Sequence, residues 1–134
     1  MFGSVNWLAI VVATVASMAL GFAWYMVLAN QWMAAINKTR EQIMANNSAT
    51  PYILAALMQL VMAYSLALFI PRLMGATTVS NGLIVGFHAW LGFVITSMII
   101  NHRYQGSKWS LTLIDGGYLL GVLLVQGLVI GLFG

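Results

Sequence analysis

The 134-residue sequence contains no cysteine and very few charged side chains. Without thiols the chain has no disulfide, no thiolate nucleophile and no cysteine metal ligand. Charged residues make up 5% of the chain and hydrophobic residues 62%, whereas a soluble domain is about a quarter charged. Too little polar surface remains to face water. The composition therefore predicts that the lipid bilayer is the solvent of this protein.

Several classes of function lack the residues they need. The five Lys and Arg residues form no cluster that could bind nucleic acid. His88 and His102 are fourteen residues apart with no carboxylate at ligand spacing, so no metal site is indicated. No Ser/His/Asp arrangement has a local motif. We therefore expect no nucleic-acid partner, no metal, no cofactor and no enzymatic activity.

Four apolar stretches are long enough to cross a membrane, which takes roughly 20 residues. They predict an all-α integral membrane bundle of four transmembrane helices, forming one domain, with spans at about 5–28, 51–70, 80–101 and 109–133.

Local signals define the ends of these spans. Thr50-Pro51 is a typical helix start with a capping hydroxyl, and Ser80 is a plausible cap for the third span. Pro71-Arg72 is expected to end the second span, and the segment 102–108 is expected to form a short polar hairpin.

The longest connection, 29–50, is amphipathic. Trp32, Ile36 and Ile43 fall near one helical face, which predicts a short interfacial helix that continues from the first span. Such a helix either extends and caps the bundle or offers a docking surface to a partner.

Basic residues predict the orientation. Loops 29–50 and 102–108 hold four of the five, and the loop with Arg72 holds the fifth. By the positive-inside rule, loops 29–50 and 102–108 are cytoplasmic and both termini are outside. The membrane is expected to be the cytoplasmic (inner) one.

Tryptophans near the predicted interfaces are interpreted as anchors: Trp7, Trp24, Trp32 and Trp109.

Asp115 is the one acid within the predicted spans, and it shares a helical stripe with Tyr118, Val122 and Gln126. It has two interpretations. It either anchors a structural network with Tyr25, Trp24, Thr96 or Arg103, or it is a protonatable site on a solute path. His88 is likewise either a hydrogen-bonded core residue or a relay. The intramembrane polar candidates are Asp115, His88, Tyr25, Gln59, Thr96 and Tyr118.

Glycines on the third and fourth spans predict close helix packing. Small residues let helices approach in lipid, where apolar burial gives little driving force between helices. On the fourth span they are expected opposite the Asp115 stripe, for contacts within the bundle or between copies. The packing candidates are Gly82, Gly86, Gly117, Gly121, Gly127 and Gly131.

Several segments, in order, resemble a known family. They are Asn6-Trp7, Gly21 with Trp24-Tyr25, Trp32, GFHAWLGF (86–93), Asn101 and LIDGGY (113–118). The chain resembles the small four-span membrane family catalogued as domain of unknown function 1761. Where that family often has Ser-Pro after the tyrosine, this chain has Met26-Val27, so a proline break in the first helix does not carry over. The resemblance implies a four-helix integral membrane protein and supplies no reaction.

Two functional hypotheses follow. The first is an oligomeric conduit for protons, ions or a small solute, in which several copies are needed because four spans enclose little volume. The alternative is an accessory subunit whose glycine face and interfacial helix pack on a larger membrane complex. Besides the lipid bilayer, the expected partners are therefore further copies of the chain or other subunits.

Overall fold

The computed structural model describes residues 4–134, and helices account for 85% of these residues, with no strand among them. Four of them are long and apolar enough to cross a membrane, which confirms the predicted all-α membrane bundle. The helices are α1 (Trp7–Val27), α2 (Ala29–Ala35), α3 (Arg40–Ala45), α4 (Thr50–Met74), α5 (Val79–Gln105) and α6 (Trp109–Phe133).

Helix α4 differs from the prediction at both ends. It includes Thr50, so this residue is not the cap, and no side chain caps the preceding Ala49. It also runs through Pro71 and ends one turn later at Gly75, whose φ of 83° is left-handed. Proline removes one intrahelical hydrogen bond but does not prevent the next residues from being helical, and glycine adopts a left-handed φ without strain.

Helix α5 starts and ends outside the predicted limits. Thr78, not Ser80, is the cap, because its hydroxyl accepts from the backbone N–H of Asn81 at 3.1 Å. The helix contains a π-helical turn at Trp90–Val94 and continues to Gln105. The expected polar hairpin is thus mostly helical, and the turn to α6 comprises residues 106–108.

The connection 29–50 forms two short helices. Helix α2 follows α1 almost directly, as predicted for a helix continuing from the first span. The chain then breaks at Asn37, whose φ is 57°, and Thr39 begins α3 with a capping box to Gln42. Ile43 is therefore not on the same helix as Trp32. The Lys108 ammonium donates to Ala34 O at 3.0 Å and joins this connection to the α5–α6 turn.

Glycines bring α5 and α6 into backbone contact. A Cβ on Gly82 would overlap the backbone of Gly127, and one on Gly131 would lie 2.5 Å from Thr78 O. Gly86 would place its Cβ 2.7 Å from Leu123 O. Such contacts leave no room for any side chain, so close packing depends on glycine at these positions.

The glycines of α6 do not form a single face. A Cβ on Gly117 would lie 2.9 Å from the Trp24 ring, and one on Gly121 would lie 2.7 Å from Leu20. These two residues therefore pack on side chains of α1, whereas Gly127 and Gly131 pack on α5. All four are engaged within the chain.

An apolar core fills the half of the bundle that contains the N-terminal part of α1. Its buried members come from α1, α4, α5 and α6, and include Ile10, Ala13, Ala63, Leu66, Ile70, Leu123 and Ile130. Most polar side chains that bond between helices lie in the other half, near α2 and α3.

Candidate functional site

A cleft opens at the end of the bundle where α2 and α3 lie. It has a volume of about 670 Å³, and its walls come from α1, the α2–α3 region, the start of α4, Met98 of α5, and α6. Asp115 is the one acid among the described residues that line it. We refer to it as the Asp115 cleft. Its lining also includes Met18, Gly21, Phe22, Tyr25, Trp32, Ile43, Asn46, Asn47, Ser48, Tyr52, Ala55 and Tyr118.

Tyr25 is the hydrogen-bond partner of Asp115. Its hydroxyl donates to Asp115 Oδ1 at 2.5 Å, which is the Tyr25 contact that the structural interpretation expects. Arg103 does not reach the acid, because its guanidinium donates to Ser107 O and the Thr112 hydroxyl instead. Asp115 forms no ion pair with any described residue and remains partly exposed to the cleft.

A chain of polar side chains leads from the cleft into the bundle. Gln59 donates through Nε2 to the Tyr118 hydroxyl, and its Oε1 accepts from Ser17 at 2.7 Å. Gln126 in turn donates to the Ser17 hydroxyl at 3.1 Å and to Gln59 O at 2.9 Å. Two helices besides α6 thus contribute to a buried network that begins beside Asp115.

The inner end of this network is incompletely satisfied. Gln126 is fully buried, and its Oε1 has no hydrogen-bond partner among the described residues. Thr14 bonds back to Ile10 O at 2.8 Å, and beyond it the apolar core begins. The cleft and its network therefore extend from one end of the bundle and stop at the core.

Aromatic rings form much of the cleft wall. Tyr25 meets Trp32 edge to face with centroids 5.9 Å apart, and it meets Tyr118 in the same way at 5.1 Å. Phe22 stacks on Tyr52 at 6.1 Å. Gly21 makes room for the Tyr118 ring, since a Cβ there would lie 2.9 Å from Tyr118 Cε1.

Two of the polar candidates lie outside this site. His88 is exposed on the outer face of α5 and contacts Ile84 O at 2.8 Å, so it is not a core histidine. Thr96 is exposed too and donates to Gly92 O at 3.0 Å. Both satisfy the backbone of their own helix and take no part in the Asp115 network.

The tryptophans expected as anchors have different surroundings. Trp7 stacks on Tyr64 at 5.5 Å, and the Arg103 guanidinium lies 3.7 Å from the centre of the Trp109 ring. Trp24 faces α6, where its indole donates to Ile114 O at 3.0 Å. Trp32 lines the cleft. Trp24 therefore contributes to the packing of the bundle and Trp32 to the cleft wall, in addition to any role as interfacial anchors.

Sequence reasoning did not identify Phe22, Tyr52 or Ser17 as members of the site. Phe22 follows Gly21 by one residue and precedes Tyr25 by three, so helical spacing from Tyr25 could have suggested it. Tyr52 shares a helical stripe with Gln59, seven residues later, so its spacing could have suggested it as well. Ser17 carries no such signal, because its role depends on how α1 and α4 pack together.

These features define a class of protein: a four-helix integral membrane protein with a cleft at one end that is mostly apolar and contains one acid. A family model for a protein of unknown function (DUF1761) matches residues 8–131, and the chain belongs to this family. No curated protein and no solved structure matches it.

Proposed function

We propose that this protein is a non-enzymatic conduit that takes up a small solute through the Asp115 cleft. The observation that carries the proposal is the cleft itself, which is open at one end and has on its wall a carboxylate that pairs with no basic group among residues 4–134. An ionisable group in the membrane needs a reason to be there, because its cost in lipid is high. By the positive-inside rule, the mouth of the cleft faces the cytoplasm.

The polar network favours a solute over a proton as the cargo. Its inner members are Gln59 and Gln126, and a carboxamide donates and accepts hydrogen bonds but does not titrate near neutral pH. A chain of such groups positions a polar ligand well and relays protons poorly. The partnerless oxygen of Gln126 offers an acceptor at the end of this network.

Passage to the other side requires a change in the bundle. In the described residues the apolar core, with Ile10, Leu66 and Ile70, closes the far end of the cleft. We therefore propose that the helices separate there during transport, and that copies of the chain associate, so that helices of neighbouring copies shield the opened path from lipid.

The accessory-subunit hypothesis loses one of its supports. It relied on a glycine face that was free to pack on a partner, but the six candidate glycines all contact α1, α5 or α6 of the same chain. Consistent co-purification with a second protein in mild detergent would favour that hypothesis over ours.

The test is flux through purified protein in liposomes. Uptake of potassium, protons and a small organic cation is compared for the wild type, Asp115→Asn and His88→Ala. We expect flux of at least one probe, reduced roughly tenfold or more in Asp115→Asn because the carboxylate is the one charge in the cleft. His88→Ala is the control, since that residue lies outside the cleft. Flux no higher than in empty liposomes, or equal flux in both variants, would contradict the proposal.

A further inference from the structure

The composition of the Asp115 cleft points to a ligand class. We infer that the cleft binds a small organic cation with a quaternary or tertiary ammonium group. The inference rests on the proposed function only for what happens after binding, because a binding site can exist without transport.

Charge is the first ground for this inference. Among the described residues that line the cleft, Asp115 is the one acid and none is Lys, Arg or His. Three basic side chains near this end of the bundle bond elsewhere: Lys108 with Ala34 O and Asn37, and His102 and Arg103 both with the Thr112 hydroxyl. A cation in the cleft would therefore meet one carboxylate and no basic lining residue.

The aromatic wall is the second ground. Five rings line the cleft: Phe22, Tyr25, Trp32, Tyr52 and Tyr118. Ring faces attract cations, and cages of such rings are the usual way in which proteins recognise quaternary ammonium groups. These rings lie around the one acid, because Tyr25 bonds to Asp115 and contacts both Trp32 and Tyr118.

The size and polarity of the cleft exclude other ligands. A volume of about 670 Å³ is in the range of sites for small molecules. A metal ion would need several oxygen ligands, and within residues 4–134 no three His, Asp or Glu side chains come together. An anion would be repelled by Asp115. A neutral apolar molecule would displace water and leave Asp115 with the Tyr25 hydroxyl but no counter-charge, which is costly away from water.

The second groove of the bundle provides a contrast. It has a volume of about 340 Å³ and is lined by His88 with Phe69, Phe93 and aliphatic residues. It has two aromatic residues but no acid, so it lacks the charge that the Asp115 cleft offers. Variants in this groove therefore serve as matched controls.

The experiment compares choline with 3,3-dimethylbutan-1-ol, a neutral molecule of nearly the same shape. Binding of each to the full-length protein in lipid nanodiscs is measured by isothermal titration calorimetry. We expect choline to bind, and the neutral analogue to bind roughly tenfold more weakly or not at all, because it lacks the charge that Asp115 attracts.

Variants locate the binding. Asp115→Asn is expected to weaken choline binding roughly tenfold or more, and Phe22→Leu about two- to fivefold, as for loss of one exposed cation–π contact. Phe93→Leu, in the second groove, is expected to leave binding unchanged. Phe22 and Phe93 are both exposed, so neither substitution disturbs the core.

Three results would overturn the inference: no choline binding at tens of millimolar, equal binding of the two molecules, or unchanged binding in Asp115→Asn. If choline binds but no probe crosses the liposome membrane, the inference stands and the proposed conduit is wrong. If ions other than organic cations cross in an Asp115-dependent way while choline does not bind, the conduit stands and the inference is wrong.

Discussion

The two ends of the bundle differ in how their helices contact one another. At the closed end, glycines remove side chains, so that the backbones of Gly82 and Gly127 touch and an apolar core fills the space between helices. At the open end, side chains meet through hydrogen bonds and leave a cleft beside Asp115. Backbone contact in lipid fixes helix positions without relying on a hydrophobic driving force. In this structure the closed end thus joins the helices, while the other end keeps an open cleft beside Asp115.

The largest expected effect comes from breaking the glycine contact. Gly127→Leu places a side chain against the Gly82 backbone, which cannot move aside as a side chain could. We expect a loss of about 3 kcal/mol or more in the free energy of unfolding, measured by denaturation in detergent micelles. Gly92→Leu is the control, since nothing lies within 4 Å of a Cβ there. Equal stability of the two variants would show that the contact between Gly82 and Gly127 does not stabilise the closed end.

A smaller effect is expected from breaking the polar network. Gln59→Leu removes two side-chain hydrogen bonds between helices, one with Ser17 and one with the Tyr118 hydroxyl, and leaves Ser17 with Thr14 O and Gln126. We expect a loss of about 2 kcal/mol in the same measurement. Ser97→Ala, which removes a hydroxyl that bonds to its own helix on the exposed face, should change stability by a few tenths of a kcal/mol. A Gln59→Leu variant as stable as the wild type would mean that the network contributes no stability.

The smallest effect is expected at the mouth of the site. Tyr25→Phe keeps the ring in the cleft wall but removes the hydroxyl that donates to Asp115. We expect a loss of about 1 kcal/mol in stability, because the acid is partly exposed and gains water in place of the tyrosine. Tyr104→Phe, at an 89% exposed position, is the matched control. If Tyr25→Phe lowers the free energy of unfolding as much as Gln59→Leu does, the hydrogen bond at the mouth of the cleft contributes as much stability as the buried network.

The sequence predicted the helices well and their contacts less well. The apolar runs determined four spans, and α6 begins and ends at the predicted residues. The Asp115 stripe correctly grouped residues that share one helix face, because that grouping depends only on helical period. His88 and Thr96 were predicted as intramembrane polar candidates, but helical period does not say which face of α5 turns toward the other helices. The partners of Asp115 depend on the rotation of α1, which no local signal in the sequence determines.

The proposed site requires that water reaches the Asp115 cleft from one side and that the apolar core closes it on the other. Because the chain has no cysteine, each introduced cysteine is the one thiol in its variant. Ala55 lines the cleft, Ala63 is buried in the core, and Ala23 is exposed at a similar depth to Ala55 but faces away from the cleft. Thiols react as thiolates, which form readily in water and poorly in apolar surroundings.

The most direct measurement is labelling of these three variants in sealed vesicles with a membrane-impermeant maleimide applied to one side at a time. We expect Ala55→Cys to react from the side where α2 and α3 lie and to be protected by choline. Ala63→Cys should remain unlabelled, and Ala23→Cys should react more slowly than Ala55→Cys. Labelling of Ala55→Cys from the opposite side, or labelling of Ala63→Cys as fast as Ala55→Cys, would contradict the account.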